Sequence, residues 1–293
     1  MRRFGIVLLF IAVLTLACSP LASESPRSAP AILTSTTFLA DIARNITDGR
    51  AQVESLLPNG ADPHSYQPTP RDVAKISDRK VLIINGAEYE HFLEPLLENA
   101  GGERTIIEAS AGLKSRSAAP DPHFWLDPNH VIVYAENIRE GLIHADPEGA
   151  VIYNTNTEAY IAQLKDLDGW IKEQVAQIPP ERRLLVTNHE SLGYFADRYG
   201  LQVVGAVVPG TSSEAAPSAK QIAALVDQIK SSGAPAIFLD ATDNPNLASQ
   251  IASETNVKVI IDLHLESLTN GEPAATYIDM MKHNVTQIVN GLK

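Results

Sequence analysis

Two short stretches of the chain echo one another, and each presents a histidine. The first reads Asp62-Pro63-His64-Ser65-Tyr66-Gln67-Pro68-Thr69-Pro70, the second Asp121-Pro122-His123-Phe124-Trp125-Leu126-Asp127-Pro128. Proline fixes its own φ and drives the preceding residue towards extended geometry, so both imidazoles sit on stiffened turns. Side chains held in this way suit a metal ion, because freedom lost beforehand is not lost again on binding. His189 and an alternating trio, Asp262, His264 and Glu266, complete the ligand-type residues that have a positional logic. Three imidazoles and one carboxylate form a tetrahedral nest suited to zinc, the carboxylate offsetting part of the ion's charge. Imidazole coordinates only when neutral, so affinity is expected to fall as pH drops below about 6. His91, His130, His144 and His283 lie on or beside helical patterns without ligand-like neighbours and read as surface or packing residues. Tyr66, Trp125 and Tyr194 read as packing aromatics, and Glu190 as a solvated helix start.

Hydrophobic periodicity supplies the elements that must position these residues. Apolar runs at 32–35, 53–57, 80–85 and 105–108 read as strands. Helical patterns separate them, one opened by Thr69 as N-cap with Pro70 in first position and another running from about 89 to 99. Strand alternating with helix argues for a parallel sheet covered on both faces. The segment 146–178 differs: Tyr153, Tyr160, Leu164, Leu167, Ile171, Val175 and Ile178 recur at helical intervals until Pro179-Pro180. One helix of this length extends roughly 50 Å, more than one lobe is wide, so it joins two; Gly169 marks a candidate bend. Strands at 184–187, 203–208, 236–240 and 257–263 then repeat the alternation. The expected fold is α/β: two parallel-sheet lobes, 31–145 and 181–293, joined by one long rigid helix within 146–180. Ligands of open α/β sheets collect beyond the carboxyl ends of strands. His64 follows the run 53–57 and His189 the run 184–187, which places both at a cleft between lobes. The two-residue period puts Asp262, His264 and Glu266 on one strand face, with Glu266 furthest along and Asp262 its competitor.

The bulk composition removes other classes. A chain of 293 residues with 44% apolar and 20% charged content builds a full core, so disorder is not its character. A net charge of −12 and no basic stripe with interleaved aromatics argue against nucleic acid as a partner. Arg2 and Arg3 precede an apolar run from Phe4 to Leu16, then Ala17 and the chain's single cysteine, Cys18. This order describes a secretory leader over 1–17, too short for a comfortable membrane span. Leu14-Thr15-Leu16-Ala17-Cys18 resembles a bacterial lipobox, which implies cleavage before Cys18 and acylation of its sulfur. A lone cysteine has no disulfide to join, and the Ser-, Pro- and Ala-rich segment 18–30 reads as a flexible tether.

The ligand segments also carry a family resemblance. Gly60-Ala61-Asp62-Pro63-His64-Ser65-Tyr66-Gln67-Pro68-Thr69-Pro70, Asp121-Pro122-His123-Phe124-Trp125-Leu126-Asp127-Pro128 and Asn188-His189-Glu190-Ser191-Leu192-Gly193-Tyr194-Phe195-Ala196-Asp197-Arg198-Tyr199-Gly200-Leu201 are similar to the three signature segments of the cluster A-I solute-binding lipoproteins of zinc and manganese ABC importers. Glu266-Ser267-Leu268 resembles the fourth. The resemblance implies two α/β lobes joined by a rigid helix with the metal between them. It makes His64 and His123 the ligands from the first lobe, and His189 and Glu266 those from the second. It further implies an extracytoplasmic, lipid-anchored monomer that hands its ion to a permease and is not an enzyme. Glu266 stands where much of the family has aspartate, which keeps Asp262 in contention, and the stretch 111–120 lacks the His-rich loop of many zinc members. Manganese members often place a carboxylate at the position of His189, so three imidazoles lean towards zinc with manganese as the alternative. A different class, a zinc hydrolase, would use the three histidines with water in fourth place, but the chain has no His-Glu-x-x-His segment.

Overall fold

The computed structural model describes residues 29–117 and 120–293. The expected leader, Cys18 and most of the expected tether lie outside the described residues.

The first lobe runs β1 (Ile32–Thr34), α1 (Thr37–Thr47), β2 (Val53–Ser55), α2 (Pro70–Ser77), β3 (Val81–Ile84), α3 (Leu93–Ala100) and β4 (Thr105–Glu108), followed by α4 (Pro128–Ala145). Its strands pair in parallel in the order β2-β1-β3-β4, with Ile32 opposite both Val53 and Val81. Leu82 and Ile83, like Ile32 and Leu33, are buried, as expected of a sheet covered on both faces. After α5 (Ala150–Val175), the second lobe contains β5 (Leu184–Thr187), α6 (Gly193–Tyr199), β6 (Gln202–Ala206), α7 (Ala219–Ser232), β7 (Ala236–Asp240), α8 (Asn246–Thr255), β8 (Lys258–Leu263) and α9 (Tyr277–Leu292). Its order, β6-β5-β7-β8, reproduces the topology of the first.

The long helix is shorter than its sequence pattern. Pro147 opens a 3-10 turn, Pro147–Gly149, and α5 ends at Val175, which gives about 39 Å at 1.5 Å per residue. It continues through Gly169 without interruption. Tyr153, Tyr160, Leu164, Leu167, Ile171 and Val175 are all buried, and α5 packs on α1 and α4 of the first lobe and on α9 of the second. One apolar core therefore runs continuously from Phe38 through Leu164 to Val285.

Two departures from expectation bear on function. The pattern beginning at Tyr89 does not start a helix; residues 86–88 have φ of 85, 52 and 62° and turn the chain sharply, and α3 begins only at Leu93. β8 ends at Leu263, where the backbone bends away, so the two-residue alternation does not extend to Glu266. Asp262 is exposed and Glu266 buried, so the two carboxylates do not share a face.

Candidate metal centre

Each lobe sends the loops beyond its strand ends into the space between the sheets. The first histidine turn is pinned at both ends. Asp62 Oδ1 accepts from the His64 amide at 2.9 Å, while Asp72 Oδ2 accepts from the Thr69 amide at 2.9 Å and from the Tyr66 hydroxyl at 2.8 Å. Pro70 opens α2 as expected. The second turn uses the same device with a further bond: Asp121 Oδ1 meets the His123 amide at 3.2 Å and its Nδ1 at 2.9 Å. A carboxylate at Nδ1 fixes the tautomer and leaves Nε2 to face the cleft. His189 follows β5 directly, and the Thr187 hydroxyl donates to its carbonyl at 2.6 Å.

Glu266 is placed by groups that the sequence does not reveal. Asp240, at the end of β7, accepts from the amides of Leu265 and Glu266 at 2.5 and 3.3 Å. Trp125 Nε1 donates to the Leu265 carbonyl at 2.7 Å, across the lobes. Tyr89 reaches over from the first lobe and donates to Glu266 Oε2 at 2.6 Å. Oε2 is thereby engaged, and Oε1 alone is aimed at the histidines.

His64, His123, His189 and Glu266 each offer one ligand atom, and all of these lie within 4.8 Å of one another. His189 Nε2 and His123 Nε2 are 3.2 Å apart, and Glu266 Oε1 stands 3.3 Å from the former and 3.5 Å from the latter. Ligands bound tetrahedrally at about 2.05 Å from zinc are about 3.3 Å apart. His64 Nε2 is buried without a hydrogen-bond partner, and Glu266 Oε1 faces only the ring nitrogens of His123 and His189, a costly arrangement that a cation at their centre would relieve. His123, His189 and Glu266 are buried and His64 is partly exposed.

Electrostatics divides the four. Burial lowers the His64 pKa to about 4, against the opposing pull of Glu266. Burial also opposes charge on His123, but its bonds to Asp121 and Glu266 prevail and raise it to about 9. Burial would raise Glu266, yet its partners His123 and His189 hold it well below the ordinary carboxylate range. Both shifts favour a proton on His123 beside an ionised Glu266.

The other ligand-type residues fall elsewhere. His264 points away from this centre and gathers with Asp262 and His283 on the far side of the strand exit. His91, His144 and Glu190 are exposed. His130 packs edge-on against Phe124 and Tyr194. Trp125 stacks on Phe38 at 4.6 Å within the first lobe and reaches Leu265 of the second through its Nε1, and the Tyr194 hydroxyl donates across the lobes to the Asp121 carbonyl at 2.9 Å. Tyr89 belongs beside these ligands through its bond to Glu266, and hydrophobic periodicity gives no sign of it, because its spacing with Phe92, Leu93 and Leu96 is helical.

The family model described as zinc-uptake complex component A periplasmic matches residues 32–291. Among curated relatives, the manganese-binding lipoprotein MntA of Halalkalibacterium halodurans is 34% identical, over 99% of this chain and 98% of that protein. The iron-binding protein YfeA of Yersinia pestis is 32% identical, over 89% of this chain and 85% of its own. The periplasmic zinc-binding protein TroA of Treponema pallidum superimposes with a TM-score of 0.83 at 27% identity, over 90% of this chain and 99% of its own. A manganese-bound periplasmic metal-binding protein of Candidatus Liberibacter asiaticus gives 0.80 at 28%, with the same coverage. A match along nearly the whole chain, shared by sequence and fold, makes this protein a member of the family of metal-binding receptors of ABC importers.

Proposed function

We propose that this chain captures zinc outside the cytoplasm on His64, His123, His189 and Glu266 and delivers it to a cognate permease, while a lipid on Cys18 tethers it to the membrane. The observation that supports zinc is the convergence of three imidazole nitrogens and one carboxylate oxygen within 4.8 Å of one another, with His123, His189 and Glu266 at 3.2–3.5 Å, close to tetrahedral spacing. Tyr89 holds Oε2, which favours monodentate binding by Glu266 and a closed, four-coordinate sphere. A closed sphere suits carriage and leaves no position for a catalytic water, which weighs against the hydrolase reading. Manganese is the second reading, favoured by the names of MntA and of the manganese ABC transporter substrate-binding lipoprotein PsaA of Streptococcus pneumoniae. The metal content of the natively purified protein tests the choice, since affinity alone favours zinc at almost any such site: zinc is expected to predominate, and a preparation carrying mainly manganese would overturn it.

Two further outcomes follow from the same site. Binding must expel the proton held on His123, because that proton occupies the atom that coordinates. Affinity is therefore expected to keep rising from pH 6.5 towards about 9, higher than ordinary histidine titration predicts. Calorimetry in buffers of different ionisation enthalpy should show about one proton released per zinc at pH 7.5, and none released would contradict the pairing. Tyr89→Phe removes the donor to Glu266 Oε2 and is expected to weaken zinc binding by about tenfold. A dissociation constant equal to wild type would show that Tyr89 does not set the carboxylate.

A further inference from the structure

The geometry points to a second divalent-cation site on the second lobe, formed by Asp262, His264 and His283 where β8, its exit and α9 meet. The three ligand atoms lie within 4.8 Å of one another. His283 Nε2 is 3.2 Å from Asp262 Oδ2, and His264 Nε2 is 3.8 Å from Asp262 Oδ1. The two rings are 5.3 Å apart between centroids. These separations are close to what one ion shared by three ligands requires, and small side-chain rotations close the remainder.

The site is built rather than incidental. Asn284, the neighbour of His283 on α9, clamps the main chain of His264 from both sides: its Oδ1 accepts from the amide and its Nδ2 donates to the carbonyl, each at 2.7 Å. Gln287, one helical turn on, donates to Asp262 Oδ2 at 3.1 Å. His264 Nε2 is buried and has no hydrogen-bond partner. A buried imidazole nitrogen of this kind loses its water and gains nothing until something fills the position. His283 Nε2 lies 2.7 Å from the backbone carbonyl of Asp262 and exchanges that bond for the ion.

Two imidazoles and one carboxylate select a borderline divalent ion: zinc, copper(II) or nickel rather than calcium or magnesium. With three protein ligands and an exposed carboxylate, water completes the sphere, so this site binds more weakly and exchanges faster than the closed centre in the cleft. Its ion braces the strand exit two residues before Glu266.

Zinc titration of the mature chain, followed by calorimetry, tests the site. Wild type is expected to bind a tight equivalent and a second, weaker one. His283→Ala and Asp262→Asn, both on half-buried or exposed positions, should lose the weak equivalent and keep the tight one. His123→Ala should do the reverse, which separates this site from the cleft. A single equivalent in wild type up to millimolar zinc, or a weak equivalent that persists in both His283→Ala and Asp262→Asn, would overturn the proposal.

Discussion

Replacing His123 by alanine is expected to abolish most of the thermal stabilisation that zinc confers. An ion bound only by the folded state adds about 4 kcal/mol at a thousandfold excess over its dissociation constant. For a protein of this size, that corresponds to a rise of roughly 10 °C in melting temperature. His123 is fully buried at the centre of the proposed site, its Nε2 3.2 Å from that of His189 and 3.5 Å from Glu266 Oε1. Alanine removes the ligand and also strands two buried carboxylates, Asp121 and Glu266, that it had paired. Breaking a buried pair costs about 3–5 kcal/mol, so the metal-free variant is itself expected to melt lower. The shift on adding zinc, rather than the melting temperature, is therefore the quantity to compare. A shift as large as that of wild type would remove His123 from the site. The metal-free wild type carries a linked signature. Because the folded pKa of His123 is raised, its contribution to stability is complete below about pH 6.5 and is lost as pH rises through about 9.

Trp125→Ala is expected to lower global stability by about 3–5 kcal/mol, the range for emptying a large aromatic site. The ring is fully buried between Phe38, at 4.6 Å and nearly parallel, and Tyr89, at 4.8 Å. Its Nε1 donates to the Leu265 carbonyl of the other lobe, and its own carbonyl accepts from Tyr277 at 2.6 Å. The substitution thus opens a cavity, leaves a buried acceptor without its donor and frees the residue before Glu266. Zinc affinity is expected to fall along with stability. Trp125→Phe retains most of the volume and loses the donor, so it should cost nearer 1 kcal/mol. Denaturant unfolding of both variants reads these values, and a loss below about 1 kcal/mol for Trp125→Ala would show that the lobes are joined elsewhere.

The strands β4, β5 and β7 begin and end where their apolar runs do, because turn-forming residues bound each run on both sides. The two histidine turns were legible for a similar reason, since Asp-Pro-His fixes local geometry without help from distant residues. Tyr89 was not. Tyr89, Phe92, Leu93 and Leu96 have helical spacing, but Ala87 and Glu88 at positive φ turn the chain before α3 and carry Tyr89 into the cleft. Backbone outliers of this kind gather at functional sites and leave no trace in hydrophobic periodicity. Glu266 presents the complementary case. A strand period pointed to it through Asp262 and His264, yet β8 ends first and those two residues turn to the opposite side with His283. The bend depends on Asp240, from the neighbouring strand, taking the amides of Leu265 and Glu266. A contact between residues 25 apart in sequence is a tertiary fact, which no local pattern states.

X-ray absorption at the zinc edge of the protein loaded with a single equivalent reads the coordination sphere itself. Three imidazole nitrogens and one carboxylate oxygen are expected around the ion at about 2.0–2.1 Å, with the oxygen lost or replaced in Glu266→Ala. A shell with fewer imidazoles, or one left unchanged by Glu266→Ala because water already held the fourth position, would contradict a closed carrier site.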